Sequence, residues 1–402
     1  MFGKRPAILV HELPSTPWLG PPVATRPVWD LQLGPFRIRD LFESAFPSHS
    51  VFFHESRLRS ASLPAELLEF QKVLLIPAQQ LPLQKRFVQE ALSLEPGDCL
   101  EEEGRVLARM ASASEIPDLL EIVASHEEFP ALAGPLLWTS GGPWLRFWWE
   151  LRELAAHLLE NHCEETLRRL SSPTRLLSLT SDDVYRASDV CVADSAVIDT
   201  SSGPVILDQG VEIGALSYVA GPCYLGPGTR VRPSSRLLHG VIAGPQCRLG
   251  GELEESLFQG YANKQHDGFL GNAWVGEWVN LGAGTTNSDL KNNYSSVRVQ
   301  MAEGEIDSSR MFLGACLGDH VRTGILSRLN TGTVFEPFVN WFGATFPPKY
   351  LPAFSWGDDR ELQEYRIDKA LETAAIAMSR RDCDLNEELE ELYRGIHLRR
   401  SG

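Results

Sequence analysis

Residues 205–243 read VILDQGVEIGALSYVAGPCYLGPGTRVRPSSRLLHGVIA, with Leu207, Ile213, Val219, Leu225, Val231 and Leu237 at a strict interval of six. Four residues after each aliphatic stands a small or β-branched one: Val211, Ser217, Cys223, Thr229, Ser235 and Val241. A period of six suits neither a lone helix nor a lone strand. It suits a coil with three flat sides and one hexad per side, the aliphatic residue pointing into a narrow prism and its smaller partner packing toward the corner. Successive coils then stack at strand spacing, roughly 4.8 Å apart, and share backbone hydrogen bonds. Glycines at Gly203, Gly210, Gly214, Gly221, Gly226 and Gly228 fit tight corners.

The register resumes at Phe269, Val275 and Leu281, and again at Leu317, Thr323, Leu329, Phe335 and Trp341. Residues 250–268 shift it, and Asn287 to Arg310 is a polar excursion. Loops that leave a rigid solenoid are where sites are usually built. The tail from Glu361 to Met378 has a helical pattern, with Leu362, Tyr365, Leu371, Ala374 and Met378 on one face. Such a helix is expected to cap the solenoid's exposed edge.

Upstream, Ala7-Ile8-Leu9-Val10 and Val73-Leu74-Leu75-Ile76 read as buried strands and Lys85 to Leu94 as a helix. The alternation predicts an α/β layered domain with a largely parallel sheet. Trp144, Trp148, Leu151, Ala155 and Leu158 mark one face of an amphipathic helix, and the aromatic cluster around Trp148 reads as packing rather than a ligand platform. Ser171-Ser172-Pro173-Thr174 and Ser181-Asp182-Asp183 interrupt the pattern, which places the domain boundary near 172–188. The expected division is 1–180 α/β, 188–357 solenoid and 358–402 helical tail.

Fifty-three acidic residues against 37 basic ones give the 402-residue chain a formal charge of −16, which repels phosphate backbones and argues against nucleic acid as a partner. Seven cysteines without CxxC pairs read as reduced thiols of a cytoplasmic protein. No signal peptide and no apolar run of membrane-spanning length is visible.

Several segments narrow the reading: Gly228-Thr229-Arg230-Val231-Arg232-Pro233, Asn263-Lys264-Gln265-His266, Phe269-Leu270-Gly271, and Val279-Asn280-Leu281-Gly282-Ala283-Gly284-Thr285. In that order they resemble the acetyltransferase half of the GlmU family, the bifunctional N-acetylglucosamine-1-phosphate uridyltransferases and glucosamine-1-phosphate N-acetyltransferases. Thr25 to Leu31, Gly260 to Gly271, Asn287 to Tyr294, Asn330 to Val334 and Pro352 to Gly357, with Arg380-Arg381, resemble a divergent branch of putative sugar nucleotidyltransferases. The resemblance implies a left-handed parallel β-helix behind a nucleotidyltransferase-like domain, working as a homotrimer.

It further implies acetyl transfer from acetyl-CoA to the amine of glucosamine 1-phosphate. His266 matches the family's general base, a role that neutral imidazole suits near working pH. Arg232 matches the contact to the sugar phosphate, where a guanidinium holds an anion bidentately. Lys264, Phe269, Asn280 and Lys291 are the other substrate-side candidates; Ala283, Ala315 and Thr331 match positions along the CoA groove. Residue chemistry alone also admits a loop-bonded histidine, a surface ion pair at Arg232, an asparagine ladder at Asn280 and plain hexad packing at the small residues. Phe269 stands where the family has Tyr, and the loop lengths differ, so the sugar is less defined than the reaction.

The family's uridyltransferases carry a Gly-x-Gly-Thr-Arg loop after the first strand and an Asp for Mg²⁺ after a later one. Here His11-Glu12-Leu13-Pro14 and Pro77-Ala78-Gln79-Gln80 occupy those places. Arg26 and Asp30, with Arg37 and Arg39, are the nucleotide-site candidates, and fold-stabilising ion pairs explain them equally. UTP-dependent activity is therefore expected to be weak or absent, with Mg²⁺ needed only if this domain is active. The alternatives are a bifunctional enzyme that also transfers uridylyl, and a non-catalytic scaffold or sugar-nucleotide sensor.

Overall fold

Short β-branched and aliphatic runs build the N-terminal sheet of the computed structural model, which describes residues 5–13, 19–54, 63–125, 136–161, 173–176 and 183–400. Its strands are β1 (Ala7–His11), β2 (Val51–His54), β3 (Lys72–Pro77), β4 (Cys99–Glu102) and β5 (Arg105–Ser112), in the order β2-β1-β3-β5-β4. β1 pairs in parallel with β2 and β3, whereas β5 runs antiparallel to both β3 and β4. The sheet is thus mixed rather than largely parallel. The turn at Glu103-Gly104, both at positive φ, closes β4 onto β5 as a hairpin. Helices α1 (Ile38–Ala45), α2 (Lys85–Leu92) and α3 (Ile116–Ser125) complete this part. Phe147, Trp148 and Trp149 are fully buried, so the aromatic cluster is core.

By packing, the chain divides into two units: 1–19, 26–31 and 36–150, and then 20–25, 32–35 and 151–402. The division falls inside helix α4 (Trp148–Asn161), ahead of the 172–188 segment. From Leu151 onward α4 belongs with the solenoid, tied by ion pairs from Arg152 to Glu255 and from Glu153 to Arg310. Of the linker marks, Ser171-Ser172 and Ser181-Asp182 lie outside the described residues. Pro173–Leu176 is an edge strand antiparallel to Val184–Ala187, a position that tolerates proline's missing donor.

The second unit is a three-sided parallel β-solenoid. Its first side runs through Val205–Leu207, Cys223–Leu225, Val241–Ala243, Leu257–Phe258, Trp274–Val275, Cys316–Leu317 and Val334–Phe335. The second runs through Glu212–Ile213, Arg230–Val231, Arg248–Leu249 and Asn263–Lys264, and continues over Asn280 to Arg322–Thr323 and Asn340–Trp341. The third includes Tyr218–Ala220, Arg236–Leu237, Glu252–Glu254 and Phe269–Gly271. The hexad aliphatics fill the interior: Leu207, Val219, Leu225 and Leu237 are wholly buried.

Their small partners solve a hydrogen-bonding problem at the corners. Ser217 and Ser235 both donate to the carbonyl of Arg232, at 2.9 and 2.6 Å, and Thr229 donates to Gly244 at 3.0 Å. A buried hydroxyl left unpaired would cost about 1–3 kcal/mol. Coils also approach too closely for side chains: a Cβ on Gly226 would lie 2.7 Å from the carbonyl carbon of Gly244.

The stretch 250–268 keeps coiling, with shorter corners. Leu207 pairs with Leu225, a coil of 18 residues by subtraction; Leu249 pairs with Lys264, a coil of 15. The polar excursion carries a hairpin, Arg298–Met301 with Gly304–Asp307. In the tail, Leu362–Glu364 is a strand antiparallel to Ser355–Gly357, and the helix begins only at Ile367 (α5, Ile367–Ser379). Leu362 is therefore exposed, while Leu371, Ala374 and Met378 are buried as the pattern required. A further helix, α6 (Glu387–Arg400), docks Tyr393 against a column of corner aromatics, with ring centroids 4.9 Å from Phe338 and 5.3 Å from His320. Six cysteines among the described residues are free, and no helix among those residues is long and apolar enough to cross a membrane.

Candidate functional site

The corner between the second and third sides holds a cavity of about 730 Å³ lined by Arg232, Gln265, His266, Asp267, Ala283 and Leu326, among others. That size suits a small-molecule ligand. Five stacked coils contribute, with Gly251 between Arg232 and His266 and Ile325-Leu326 beyond Ala283. Arg232 follows Arg230–Val231, His266 follows Asn263–Lys264, and Ala283 follows the Asn280 bridge. Equivalent positions on stacked coils lie one strand spacing apart, so residues distant in sequence converge here. His266 and Arg232 are both exposed at this corner.

Lys264 sits beneath it, at an inward position beside Leu249 and only 1% exposed. Its ammonium donates to three carbonyls of the corner: His266 at 2.5 Å, Gly250 at 3.3 Å and Asp267 at 3.3 Å. Charge-assisted bonds of this kind are roughly twice as strong as neutral ones. Burial pushes its pKa down to about 8, and the nearby Asp267 carboxylate partly opposes that shift. The ammonium is thus committed to backbone and closed to a substrate, which corrects the substrate-side expectation for Lys264. The shortened coil explains it: losing three residues between Leu249 and Lys264 puts a lysine where a hexad aliphatic would stand.

The other expected residues divide. Asn280 lies on the flat second side, its carbonyl oxygen 3.4 Å from the amide of Asn263, and does not line the cavity. Phe269 opens its strand on the third side, its ring over Gly271, where a Cβ would meet Phe269 Cζ at 2.3 Å. Lys291 is held in the polar excursion by the carbonyl of Ser296 at 2.5 Å. Ala315 is fully buried in the solenoid core and Thr331 is 2% exposed, its hydroxyl 3.5 Å from Asn330 Oδ1. Neither side chain is open to a CoA groove, a second correction, and hexad packing accounts for both. Sequence reasoning missed Ile325 and Leu326, which are 73% and 70% exposed at the cavity rim. The signal was present: two adjacent aliphatics fall between the inward positions Thr323 and Leu329.

At the carboxyl ends of the N-terminal strands, His11 pairs with His54, and Glu12 is buried with its Oε1 accepting the amide of Val28 at 3.0 Å. Burial first, opposed by the Glu12 carbonyl and reinforced by His54, brings the His11 pKa down to about 4, so the ring is neutral. Gln79 and Gln80 are buried amides. Asp30 forms an ion pair with Arg39 at 2.5 Å; Arg26 is half-buried. Mg²⁺ prefers carboxylate and water oxygens. Among the described residues no group of three or more His, Cys, Asp or Glu side chains is placed to hold a metal, and the neutral amides of Gln79 and Gln80 are poor ligands for Mg²⁺.

Residues 8–166 match the family model described as sugar nucleotidyl transferase. A bifunctional sugar-1-phosphate nucleotidylyltransferase/acetyltransferase of Sulfurisphaera tokodaii is 35% identical over 125 residues, 31% of this chain and 31% of that protein. The bifunctional protein GlmU of a Cyanothece species is 29% identical over 189 residues, 42% of this chain and 38% of its own length. That of Paracoccus denitrificans is 32% identical over 158 residues, covering 38% and 34%. Over these stretches the chain is similar to GlmU-like proteins. It spans about a third of the length of these curated relatives. Among solved structures, the match to the acetyltransferase domain of PglB from Neisseria gonorrhoeae in complex with acetyl coenzyme A covers 90% of this chain and 100% of that one, at TM-score 0.16 and 10% identity, too low to bear on function.

Proposed function

We propose that this protein is an acetyl-CoA-dependent N-acetyltransferase acting on an amino-sugar phosphate such as glucosamine 1-phosphate. The observation that carries the reading is the convergence of His266, Arg232 and Ala283 on one corner cavity. Arg232 would hold the sugar phosphate as a bidentate anion partner. His266 would take the proton that the sugar ammonium must lose before its nitrogen attacks the thioester carbonyl. The new C–N bond forms as the C–S bond breaks, and CoA leaves as the thiol. The backbone N–H of Ala283, in the glycine-rich corner, would face the developing oxyanion, while that of Gly284 is already donated to the Asp267 carbonyl at 3.1 Å. Lys264 supports this corner from below.

In this reading residues 1–180 form a nucleotidyltransferase-like domain, 188–357 the acyltransferase-like solenoid and 358–402 the tail. The assembly is a homotrimer in the cytoplasm. Exposed Ile325, Leu326, Phe342 and Phe346 beside or near the cavity support self-association, since apolar surface next to a site favours a covering partner.

Purified protein with acetyl-CoA and glucosamine 1-phosphate should release free thiol, and His266→Ala should abolish that release while keeping the melting temperature. Equal release by both proteins defeats the reading. The family match over 8–166 favours a second activity, uridylyl transfer to a sugar 1-phosphate. Among the described residues no group of three or more metal-ligating side chains is found, and no step is assigned to this domain; pyrophosphate released from UTP and N-acetylglucosamine 1-phosphate would establish the activity.

A further inference from the structure

The second side of the solenoid carries a row of cations that the proposed chemistry does not use. Pairing registers stack Glu212, Arg230, Arg248, Asn263, Asn280 and Arg322 in line. Each is followed by a buried inward residue, so the row lies on the outer face. Arg381, just beyond α5, reaches the middle of it and donates to Asn263 Oδ1 at 3.1 Å. From Arg230 to Arg322 are four strand intervals, roughly 19 Å at 4.8 Å each.

Few anions answer this charge. Arg230 meets Glu212 at 3.1 Å. Arg248 donates only to neutral acceptors, the carbonyls of Gly228, Gln246 and Cys247 and the side-chain oxygen of Gln246. Among the described residues, no ion pair involves Arg322 or Arg381. Burial first, and then neighbouring guanidiniums, pull the pKa values of Arg248 and Arg381 down; Arg322 follows by burial, with Arg380 adding to it. In a chain of charge −16, such crowding of like charges is a local cost that a bound anion would remove. The row presents more guanidiniums than one phosphate can meet, and a diphosphate would engage a part of it. It also starts beside the cavity, since Arg230 and Arg232 flank Val231 on one coil.

We infer that this arginine row is a diphosphate subsite, so that an amino sugar carried on a nucleoside diphosphate is also held for His266. The inference rests on the proposed reading for which ligand bears the amine. Paired guanidiniums bind phosphate oxygens in fork geometry, and removing one such charged partner costs about tenfold or more in affinity.

Calorimetric titration of the full chain with UDP, glucosamine 1-phosphate and CoA tests this without any turnover. Arg322→Gln and Arg381→Gln should each weaken UDP about tenfold and leave CoA and glucosamine 1-phosphate within twofold. Circular dichroism checks the fold, and the two substitutions sit on different elements, so loss of one variant leaves the other. Unchanged UDP affinity in a folded variant, or no UDP binding by the wild type, overturns the inference. So does a parallel loss of CoA, because the row would then serve the acyl donor. His266→Ala should keep its UDP affinity, so failure of acetyl transfer and failure of this subsite are separately visible.

Discussion

Lys264 shows how a single residue changes meaning between sequence and structure. In the sequence it stands two residues before His266 and reads as a substrate contact. In the solenoid it points inward and binds the carbonyls of His266, Asp267 and Gly250. Removing the charge should loosen the corner that presents the imidazole, and small misplacements of a catalytic group can cost on the order of a hundredfold. Lys264→Met is therefore expected to lower kcat by about tenfold or more with KM for acetyl-CoA nearly unchanged. The pH profile adds a sign. The ammonium, with its pKa near 8, is present below that value and is lost as pH rises through it. Wild-type kcat should decline above about pH 8, and the variant should lack that limb. Asp267 and His266 are the titratable groups beside it, so the profile is best compared in Asp267→Asn as well. A variant with wild-type kcat would remove Lys264 from the account.

At the scale of the element, the solenoid coil is a stack of interchangeable rungs, and stability depends on what fills each. Leu237 is wholly buried between coils, whereas Leu216, at a corner with φ of 60°, is 71% exposed. Leu237→Ala should cost about 2–5 kcal/mol through lost burial and the cavity left behind. Leu216→Ala should stay within about 0.5 kcal/mol. Chemical denaturation of the two variants measures the contrast, and equal midpoints would mean that the hexad does not fill the prism as described. The tail obeys a different logic. Residues 362–364 joined a strand because the open edge at Ser355–Gly357 offered unpaired backbone groups, and edge pairing outweighs a helical pattern of apolar residues. Helix α6 has a weakly amphipathic sequence; it is held by Tyr393 and Ile396, which are buried against the aromatic column.

For the molecule as a whole, the question is what covers the apolar rim of the cavity. A Cβ on Gly324 would lie 3.1 Å from the backbone of Phe342, and Phe342 meets Trp356 edge-on at 5.6 Å, so Ile325, Leu326, Phe342 and Trp356 lie along adjoining coils. With a trimer, the mass in solution should be three chains. The pair Ile325→Asp and Leu326→Asp should reduce it to one, and acetyl transfer should fall with it while far-ultraviolet dichroism holds. A wild-type mass of one chain, measured by sedimentation, would defeat the assembly proposal.

The six-residue period by itself determined the prism, its three sides and the inward residues from Leu207 to Leu237. Each rung is specified locally: one aliphatic fills one side, one small residue fills one corner, and the next coil repeats the arrangement. The motif around His266 and the Arg-Pro hexad at Arg232 were legible for the same reason. What only the tertiary structure decided depends on how many residues each coil spends at its corners. Three residues fewer between Leu249 and Lys264 turned a polar residue inward, and a long excursion before Ala315 returned it to the core. Those shifts also set Ile325 and Leu326 beside His266, and Arg381 beside Asn263. Juxtaposition across coils follows from accumulated corner lengths and from a tail that folds back, neither of which a hexad can encode.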